Sequence, residues 1–410
     1  MKQLNKIALS LVSLVVILPV HANDQYGSSE SLRNTILEIE NRVANQHQRI
    51  SGADLNGIDA WVDETKVNWR TSDLGDLGNL NEQRVSFEVK LKNGDQVSAE
   101  KDILDMGQAK ADLKFRYLLD RKLKAQYTSL INFIEQEKKQ HILQQQQQIS
   151  RLELNNWKMK VNSDGFRADR LQQADLSLEA YSLEEAENNR VLNRHRENFG
   201  SELSGYSADG IISIQQMIDY SQNIIDNGAY LQHSSAIRKA EFEIGLANKK
   251  RQRTNAKEQF SINSVKVEYD NNDDNYGATV GIRLPITRNS YDSLLEKQEV
   301  YYSNIDAQNM VINTADQLQE KQFQLLRLQD ESQRTRTLLQ NVNKRMGRLA
   351  NSGNVDLMID LKSKKLQFLR RQDRLLISAL RQYVDLLNVA GMLSAQPYRN
   401  WIKTGTPRIL

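Results

Sequence analysis

Two stretches of strict polar–apolar alternation interrupt a chain that otherwise has helical spacing, and they constrain the fold more than any other feature. In SVKVEYDNNDDNYGATVGIRLPIT, residues Ser264–Thr287, every second residue on either side of an Asn/Asp-rich turn is apolar. The segment Asp63–Gly94 repeats the pattern, with TKVNW in its first run and RVSFEVKL in its second. Because successive side chains of a strand leave opposite faces, each segment predicts an amphipathic β-hairpin.

The N-terminus predicts export from the cytoplasm. MKQLNKIALSLVSLVVILPVHA has two lysines, then an apolar run, then Val-His-Ala, which is the pattern of a secretory signal. We expect residues 1–22 to be removed by cleavage after Ala22. The alternative is a retained membrane anchor, for which the apolar run is short. The chain has no cysteine, so an exported fold must be held by packing or by oligomerisation.

Composition argues against a thick globular core. Only 39% of the residues are hydrophobic and the mean hydropathy is −0.63, so the apolar residues must form narrow stripes. The formal net charge of +3 falls to +1 when Lys2 and Lys6 leave with the signal sequence. A charge this small does not indicate a partner that is a nucleic acid.

Heptad spacing predicts long helices. Between Asp292 and Ala350, apolar residues recur at intervals of seven or fourteen, as at Leu318 and Leu325, and a comparable stripe begins at Leu119. Proline is absent between Pro19 and Pro285. Sustained heptads with polar flanks are typical of coiled-coil packing. A helix of about 60 residues is roughly 90 Å long, which exceeds an ordinary domain diameter.

The chain repeats one order of elements twice. Each half has a short opening helix, at about Ser29–Asn45 and Ile211–Lys257, followed by a hairpin, a long helix, a glycine-containing tip and a shorter helix. We predict a first repeat over residues 23–205, with its hairpin at 63–94 and its tip near 162–166. The second repeat covers 206–394, with its hairpin at 261–287 and its tip near 351–354, and residues 395–410 form a C-terminal tail. The spacing from hairpin to tip differs between the two halves by one heptad. Such a difference lengthens a coiled coil without changing which helix face is buried.

The hairpins have the length and the two-faced pattern of membrane strands. Runs of about nine to eleven residues can cross a bilayer when tilted, and an apolar outer face with a polar inner face indicates an outer-membrane barrel with a wet interior. A soluble sheet packed on helices shows the same alternation and is the alternative. Four strands cannot close a barrel, so oligomerisation must complete it. Two chains give eight strands with a filled interior, and three give twelve with a lumen.

The lipid-facing positions follow from the alternation. They are the apolar members of the four runs, namely Val67, Trp69, Val85, Phe87, Val89, Leu91, Val265, Val267, Tyr269, Val280, Ile282 and Leu284.

Three segments resemble the TolC-type outer-membrane efflux and secretion channels, of which the chain is identified as a divergent member. VGIRLPI at Val280–Ile286 is similar to the family's last strand before its long helix. SGNVDLMIDLKSKKLQF at Ser352–Phe368 resembles the tip turn and the following helix start, and VDLLNVAGML at Val384–Leu393 resembles the closing helix. The expected fold is therefore mainly α with a small β part. It combines a long α-helical coiled-coil barrel with a trimeric 12-strand outer-membrane β-barrel, four strands per chain.

The resemblance also implies a function and partners. It implies a homotrimer in the outer membrane with a long periplasmic extension, which serves as a passive exit duct for an efflux pump or a type I secretion system. A periplasmic adaptor protein and an inner-membrane transporter, ABC-type or proton-driven, are the expected partners, together with outer-membrane lipid. No cofactor is expected.

The tips carry the candidate site residues. Asp356 and Asp360 lie four residues apart and so share one helix face. The family keeps acidic residues near the periplasmic mouth, which makes these two and Asp169 gate candidates, whereas a helix start that favours acids is the alternative. Glycine at the two tips predicts a positive φ angle. Flanking residues are candidate adaptor contacts by family analogy: Asn162, Ser163, Gly165, Asn351, Ser352 and Gly353.

Nothing in the sequence indicates an enzyme or a metal site. The five histidines are scattered without metal-ligand spacing, and no phosphate loop or nucleophile motif stands in a suitable context. A second class of function is a periplasmic coiled-coil adaptor or a scaffold protein of a transport complex. Adaptors usually carry one helical hairpin between β-rich domains, whereas this chain has two units of hairpin plus helix.

Overall fold

A computed structural model describes most of the chain after residue 60. The described residues are Asn41, 61–73, 81–163, 165–199, 210–270, 275–284, 291–349 and 354–404. The predicted signal sequence and the tip residues Asn351, Ser352 and Gly353 lie outside these residues. So does the predicted opening helix of the first repeat, apart from Asn41.

The described chain alternates β-hairpins with groups of helices. The elements are β1 Val62–Asp73, β2 Asn81–Leu91, α1 Gly94–Met159, α2 Ala168–Phe199, α3 Ile214–Asp226, α4 Ala229–His233, α5 Ser235–Lys257, β3 Ser261–Asp270, β4 Asn275–Arg283, α6 Tyr291–Leu349, α7 Val355–Val389 and α8 Met392–Ala395.

The two hairpins form one sheet. The strand order is β1-β2-β3-β4, and every neighbouring pair is antiparallel. β2 therefore pairs with β3 although α1 to α5 separate them in the chain. This pairing unites the predicted hairpins in a single four-stranded sheet, whose edges are β1 and β4.

The long helices lie side by side in a row. Toward the tips, α2 packs on α1, α1 on α7 and α7 on α6. Toward the sheet, α5 lies between α1 and α6. α1 has 66 residues and α6 has 59, so each is roughly 90 to 100 Å long. The row is much longer than it is thick, as the low hydrophobic content predicts.

Heptad stripes bury one face of each long helix. Leu119, Leu123 and Leu130 of α1 are buried, and so are Leu318 and Leu325 of α6. The predicted coiled-coil stripes are confirmed at these positions. Burial of each leucine side chain in such a seam stabilises the fold by about 1.5 to 3 kcal/mol.

The predicted helix over residues 211–257 is wrong in detail, because it is divided into α3, α4 and α5. Gly228 adopts φ +62°, a left-handed conformation that ends α3 and that side chains other than glycine rarely adopt. Ser234 then separates α4 from α5 with an extended ψ of 121°. The breaks let α3 turn its apolar side, with Met217 and Ile224, into the main core.

The described residues after α8, 396–404, pack against the core, although they are predicted to be a tail. Trp401 and Ile402 are buried. The backbone N–H of Ile212 donates to the carbonyl of Ile402 at 3.1 Å, and the hydroxyl of Tyr127 donates to the carbonyl of Arg399 at 2.8 Å. These contacts fasten the end of the described chain across α1 and the segment before α3.

None of the described helices is both long enough and apolar enough to cross a membrane.

Candidate functional site

The sheet brings the predicted lipid-facing residues together on one face. Residues paired across antiparallel strands point to the same side, so the register forms rows of apolar side chains. The rows run from β1 to β4 as Trp69–Val85–Tyr269–Tyr276, Val67–Phe87–Val267–Ala278 and Thr65–Val89–Val265–Val280.

Irregularities in β1 and β3 extend this face toward the helices. The register shifts between Val62 and Glu64 and again between Ile262 and Ser264. An extra residue reverses the side to which the strand points. As a result, Val62 opposes Leu91 on the apolar side. Ile262 opposes Ile282 in the same way.

No described helix covers the apolar face. Val67 is 67% exposed, Trp69 71% and Val280 54%. None of the predicted lipid-facing residues is fully buried: most are exposed, and Val89, Leu91, Val265 and Tyr269 are partly buried. Contiguous apolar surface of this extent marks a site of contact with protein or membrane. The alternative of a sheet buried beneath the protein's own helices is therefore contradicted in the described chain.

The opposite face of the sheet is polar and ion-paired. Arg84 contacts Asp270 at 2.8 Å, and Lys90 contacts Glu64 at 2.6 Å. Gly281 lies on this face, where a Cβ atom would overlap the side chains of Asn263 and Ser264. The sheet thus has one apolar face and one charged face, and both are accessible.

Aromatic residues stand at both ends of the apolar face. The rings of Tyr269 and Tyr276 lie 4.9 Å apart near the hairpin turns. At the helix end, Trp61 and Phe260 are 61% and 63% exposed. Aromatic belts of this kind are typical of the two interfaces of a bilayer.

At the tips, Asp356 joins two helices. Its carboxylate accepts hydrogen bonds from Nζ of Lys160 at 2.5 Å and from Nδ2 of Asn156 at 2.6 Å. The hydrogen bond from Lys160 keeps the pKa of Asp356 below its usual range, and burial opposes this only in part. The carboxylate therefore stays ionised and links the start of α7 to the end of α1.

The other two gate candidates have partners within four residues along the chain. Asp360 contacts Lys364 at 2.9 Å, one turn further along α7. Asp169 contacts Arg167 at 2.7 Å, and the hydrogen bond from that guanidinium lowers the pKa of Asp169. Asp356 and Asp360 are near each other, but only Asp356 reaches a second helix.

The first tip is a tight turn without a left-handed glycine. Oγ of Ser163 donates to the carbonyl of Lys160 at 2.7 Å, and N–H of Phe166 donates to the carbonyl of Ser163 at 3.0 Å. Gly165 lies in open space and has no positive φ, so the predicted conformation is wrong there. Asn162 and Ser163 are exposed, as contact residues must be.

Sequence reasoning missed a buried carboxyl group, Asp120, in the main core. One oxygen accepts the backbone N–H of Ser394 at 2.8 Å, and the other is buried without a hydrogen-bond partner among the described residues. Burial raises the pKa of Asp120 to about 6, while Ser394 and Arg116 oppose that rise. The partner lies 274 positions away, so no local spacing could have indicated the contact.

The histidines do not form a metal site in the described chain. Within the described ranges, no group of three or more His, Asp or Glu residues is arranged to hold a metal ion.

Comparison with known proteins identifies the fold. No family model and no curated protein sequence matches the chain. Solved structures do match. The outer membrane protein VceC from Vibrio cholerae has a TM-score of 0.60 at 10% identity, over 89% of this chain and 98% of that one. The outer-membrane channel OprN gives 0.52 at 12% identity over 87% of each chain. CusC, described in terms of transmembrane channel formation, gives 0.53 at 14% identity over 88% and 89%.

The chain therefore has the fold of TolC-type outer-membrane channels. The resemblance predicted from the three sequence segments is confirmed at the level of the fold. Because the sequence identities are only 10 to 14%, the similarity to these structures shows a shared fold and nothing finer.

Proposed function

We propose that the protein is a homotrimeric outer-membrane channel that gives a passive exit from the periplasm. The observation that carries the proposal is the sheet with one uncovered apolar face and one charged face. Its strands have 12, 11, 10 and 9 residues, close to the length that crosses a bilayer at a tilt. The apolar face meets lipid, and the ion-paired face lines a wet lumen.

The sheet edges argue for assembly. β1 and β4 each have one strand partner in the described sheet, so each leaves a row of backbone N–H and C=O groups. Such groups are not tolerated in hydrocarbon without partners. If β4 of one copy pairs with β1 of the next, three copies close a barrel of twelve strands with room for a lumen.

The helices continue the duct. At roughly 90 to 100 Å, α1 and α6 reach far beyond the sheet, so a ring of three copies extends the lumen into the periplasm. Partners at the tips are an adaptor protein and an inner-membrane transporter, ABC-type or proton-driven, of an efflux pump or a type I secretion system. The exposed Asn162 and Ser163 are the proposed adaptor contacts in the described tip.

The proposed gate lies at the tips. Three copies place three Asp356 carboxylates around one axis, with Asp360 one turn further along α7 and Asp169 at the start of α2, on the far side of α1. Rings of carboxylates bind cations and narrow a pore. The link from Asp356 to Lys160 also holds α7 against α1, so the gate is fixed by contacts inside each copy.

Cell fractionation and planar bilayers test the function. We expect the full chain in the outer-membrane fraction, as an oligomer that dissociates on boiling to a band near the mass of one chain, 47.2 kDa before signal removal. The purified oligomer should conduct ions. A soluble monomer without conductance would contradict the proposal and favour a periplasmic scaffold.

A matched pair of variants sharpens this test. Val67→Arg places a charge on the apolar face, which costs about 2 to 4 kcal/mol near the middle of a bilayer. It should reduce the amount of boiling-sensitive oligomer. Asn68→Arg, one residue away on the polar face, should leave the amount unchanged. Equal losses in both variants would argue against a lipid-facing side.

A further inference from the structure

The junction between α4 and α5 packs against the junction between α7 and α8. Ser234 interrupts the helix there with an extended ψ of 121°. A Cβ atom on Gly391 would overlap the carbonyl of His233 and come within 2.9 Å of the backbone N of Ser234. The backbone N–H of Ser394 donates to Asp120 of α1 at 2.8 Å. These contacts bring the start of α5 and the start of α8 together beside α1.

The packing of α5 on α1 shows which residues of α1 stand level with this junction. Nζ of Lys249 lies 2.7 Å from the carboxylate of Asp102. Closer to the junction, a Cβ atom on Gly245 would lie 3.1 Å from Cε of Met106. The two helices are therefore antiparallel. Equal numbers of residues onward along α1 and back along α5 lead from this second contact to Arg116 and to the first residue of α5.

The first turn of α5 has backbone donors without acceptors. The N–H of Arg238 is the first that bonds within the helix, to the carbonyl of Ser234 at 3.0 Å. The N–H groups of Ser235, Ala236 and Ile237 have no acceptor among the described residues. The side chain of the N-cap residue makes no capping hydrogen bond. The start of this 23-residue helix therefore keeps both its free donors and its partial positive charge.

Two buried polar groups at this turn also lack a partner. Ser234 is only 1% exposed, and its hydroxyl has no hydrogen-bond partner in the described part of the chain. Nδ1 of His233 is shielded from solvent and likewise has no partner among the residues described. Because buried polar groups are nearly always hydrogen-bonded, both indicate that a polar ligand belongs at this place.

Three basic side chains lie close together around the same turn. Arg116 and Arg238 are partly buried, and neither guanidinium has an ion pair or a hydrogen bond within the described ranges. Burial and the charge of Arg238 hold the pKa of Arg116 below its usual value. Burial and the two arginines also lower the pKa of His233. Mutual repulsion of this kind is relieved by a bound anion.

The nearest acidic groups leave these donors free. Asp112 and Asp120 stand one turn to either side of Arg116 on α1, and they act on its pKa less strongly than Arg238 does. Asp112 is exposed. Asp120 accepts the N–H of Ser394 instead of a guanidinium. Donors from α1 and from α5 therefore remain available to one ligand.

We propose that the start of α5 binds a phosphate group, either as inorganic phosphate or as a soluble phosphate monoester. A phosphate presents several oxygens in different directions. They match the free N–H groups of the first turn, the hydroxyl of Ser234 and one guanidinium from each of two helices. A planar carboxylate could occupy only part of this set. Arg116 lies about 30 Å along α1 from the sheet, which is beyond the reach of a lipid head group beside the sheet.

Calorimetric titration of the full chain in detergent tests the site. Inorganic phosphate and glycerol 3-phosphate are titrated separately in a buffer free of phosphate. We expect saturable binding at one site per chain, and the tighter of the two ligands identifies the source of the phosphate group. Arg116→Gln and Arg238→Gln should each weaken binding by about tenfold or more, because each removes a charged donor.

Lys239→Gln is the matched control. Lys239 is the next residue after Arg238, is exposed, and pairs with Glu243 on its own helix. Its replacement removes the same charge from α5 and should leave phosphate binding unchanged. Circular dichroism checks that each variant is folded. If Arg116→Gln does not fold, Arg238→Gln alone decides, since that side chain makes no contact on which the helix depends.

Four results would overturn the inference. They are no saturable binding to the unmodified chain, unchanged binding in both arginine variants, an equal loss in Lys239→Gln, and acetate that binds as tightly as phosphate. The measurement needs neither a membrane nor conductance. A chain that binds phosphate without conducting would refute the channel alone, and a conducting chain without the site would refute this inference alone.

Discussion

The carboxylate of Asp356 holds the end of α1 and the start of α7 together at the tip end of the helix row. Hydrogen bonding from Lys160 keeps its pKa below the ordinary value of 3.8. At neutral pH the group is therefore charged. In the proposed channel, the same residue fixes the tip and presents negative charge to a permeating ion.

Removing this charge should open the proposed gate. We expect Asp356→Ala combined with Asp360→Ala to raise single-channel conductance in bilayers and to weaken block by divalent cations. Block of the unmodified channel should persist at pH 5, because the lowered pKa keeps Asp356 ionised there. Asp316→Ala, near the middle of α6, is the control. Unchanged conductance and unchanged block in the double variant would contradict a role in gating.

Asp120 gives a second prediction, because its pKa is raised whereas that of Asp356 is lowered. A carboxyl group with a pKa of 3.8 in the unfolded chain and about 6 in the folded chain lowers the free energy of unfolding as the pH rises through that interval. By linkage the loss is roughly 3 kcal/mol at pH 8. Asp120→Asn keeps an acceptor for the N–H of Ser394 and removes the charge. It should raise stability by about 1 to 3 kcal/mol at pH 8.

Urea unfolding in detergent at two pH values checks this expectation. The gain from Asp120→Asn should be large at pH 8 and small at pH 4.5, where the native carboxyl is already protonated. Equal destabilisation of the Asp120→Asn variant at both pH values would contradict the prediction. It would show that burial of the ionised carboxylate does not lower the stability of the unmodified protein.

At the scale of elements, the junction between α7 and α8 depends on one glycine. Gly391 has φ +71°, and a Cβ atom there would overlap the backbone carbonyl of His233. The junction turns the chain so that Met392 and Leu393 enter the core. Neither the angle nor the contact tolerates a side chain.

Two glycine-to-alanine changes should therefore have opposite effects. Gly391→Ala should lower the free energy of unfolding by roughly 3 kcal/mol or more, from the left-handed angle and the overlap together. Gly347→Ala, inside α6 with nothing near its Cβ position, should raise it by about 0.5 to 1 kcal/mol. Thermal unfolding followed by circular dichroism measures both. A mild effect of Gly391→Ala would contradict the packing at the junction.

Elements that a strict period defines could be predicted from the sequence. The heptad stripe predicts a helix from Asp292 to Ala350, and the observed α6 spans Tyr291–Leu349. The alternating runs likewise predict all four strands, because one buried stripe or one apolar face fixes each element. The long-range contacts could not be predicted in this way. Ser394 meets Asp120, and Ile402 meets Ile212, through packing that no local period records.

At the scale of the whole molecule, one copy is an open structure. Its sheet has two edges, its helix row has two outer faces, and its apolar sheet surface has no cover among the described residues. In the proposed channel, three copies arranged head to tail resolve the first two features, and a lipid bilayer resolves the third. The division into two repeats that meet between residues 205 and 206, each with one hairpin and one tip, remains a prediction. The proposed arrangement of three copies relies on it.

The lipid contact of the sheet is the central claim, and spin labels measure it most directly. Single cysteines at Val67 and Asn68, in the otherwise cysteine-free chain, are labelled in lipid vesicles and exposed to oxygen and to a water-soluble nickel chelate. The account predicts that the label at 67 collides mainly with oxygen, which concentrates in lipid, and that the label at 68 collides mainly with the chelate. Equal accessibility at both positions, or a label at 67 that the chelate reaches freely, would contradict it.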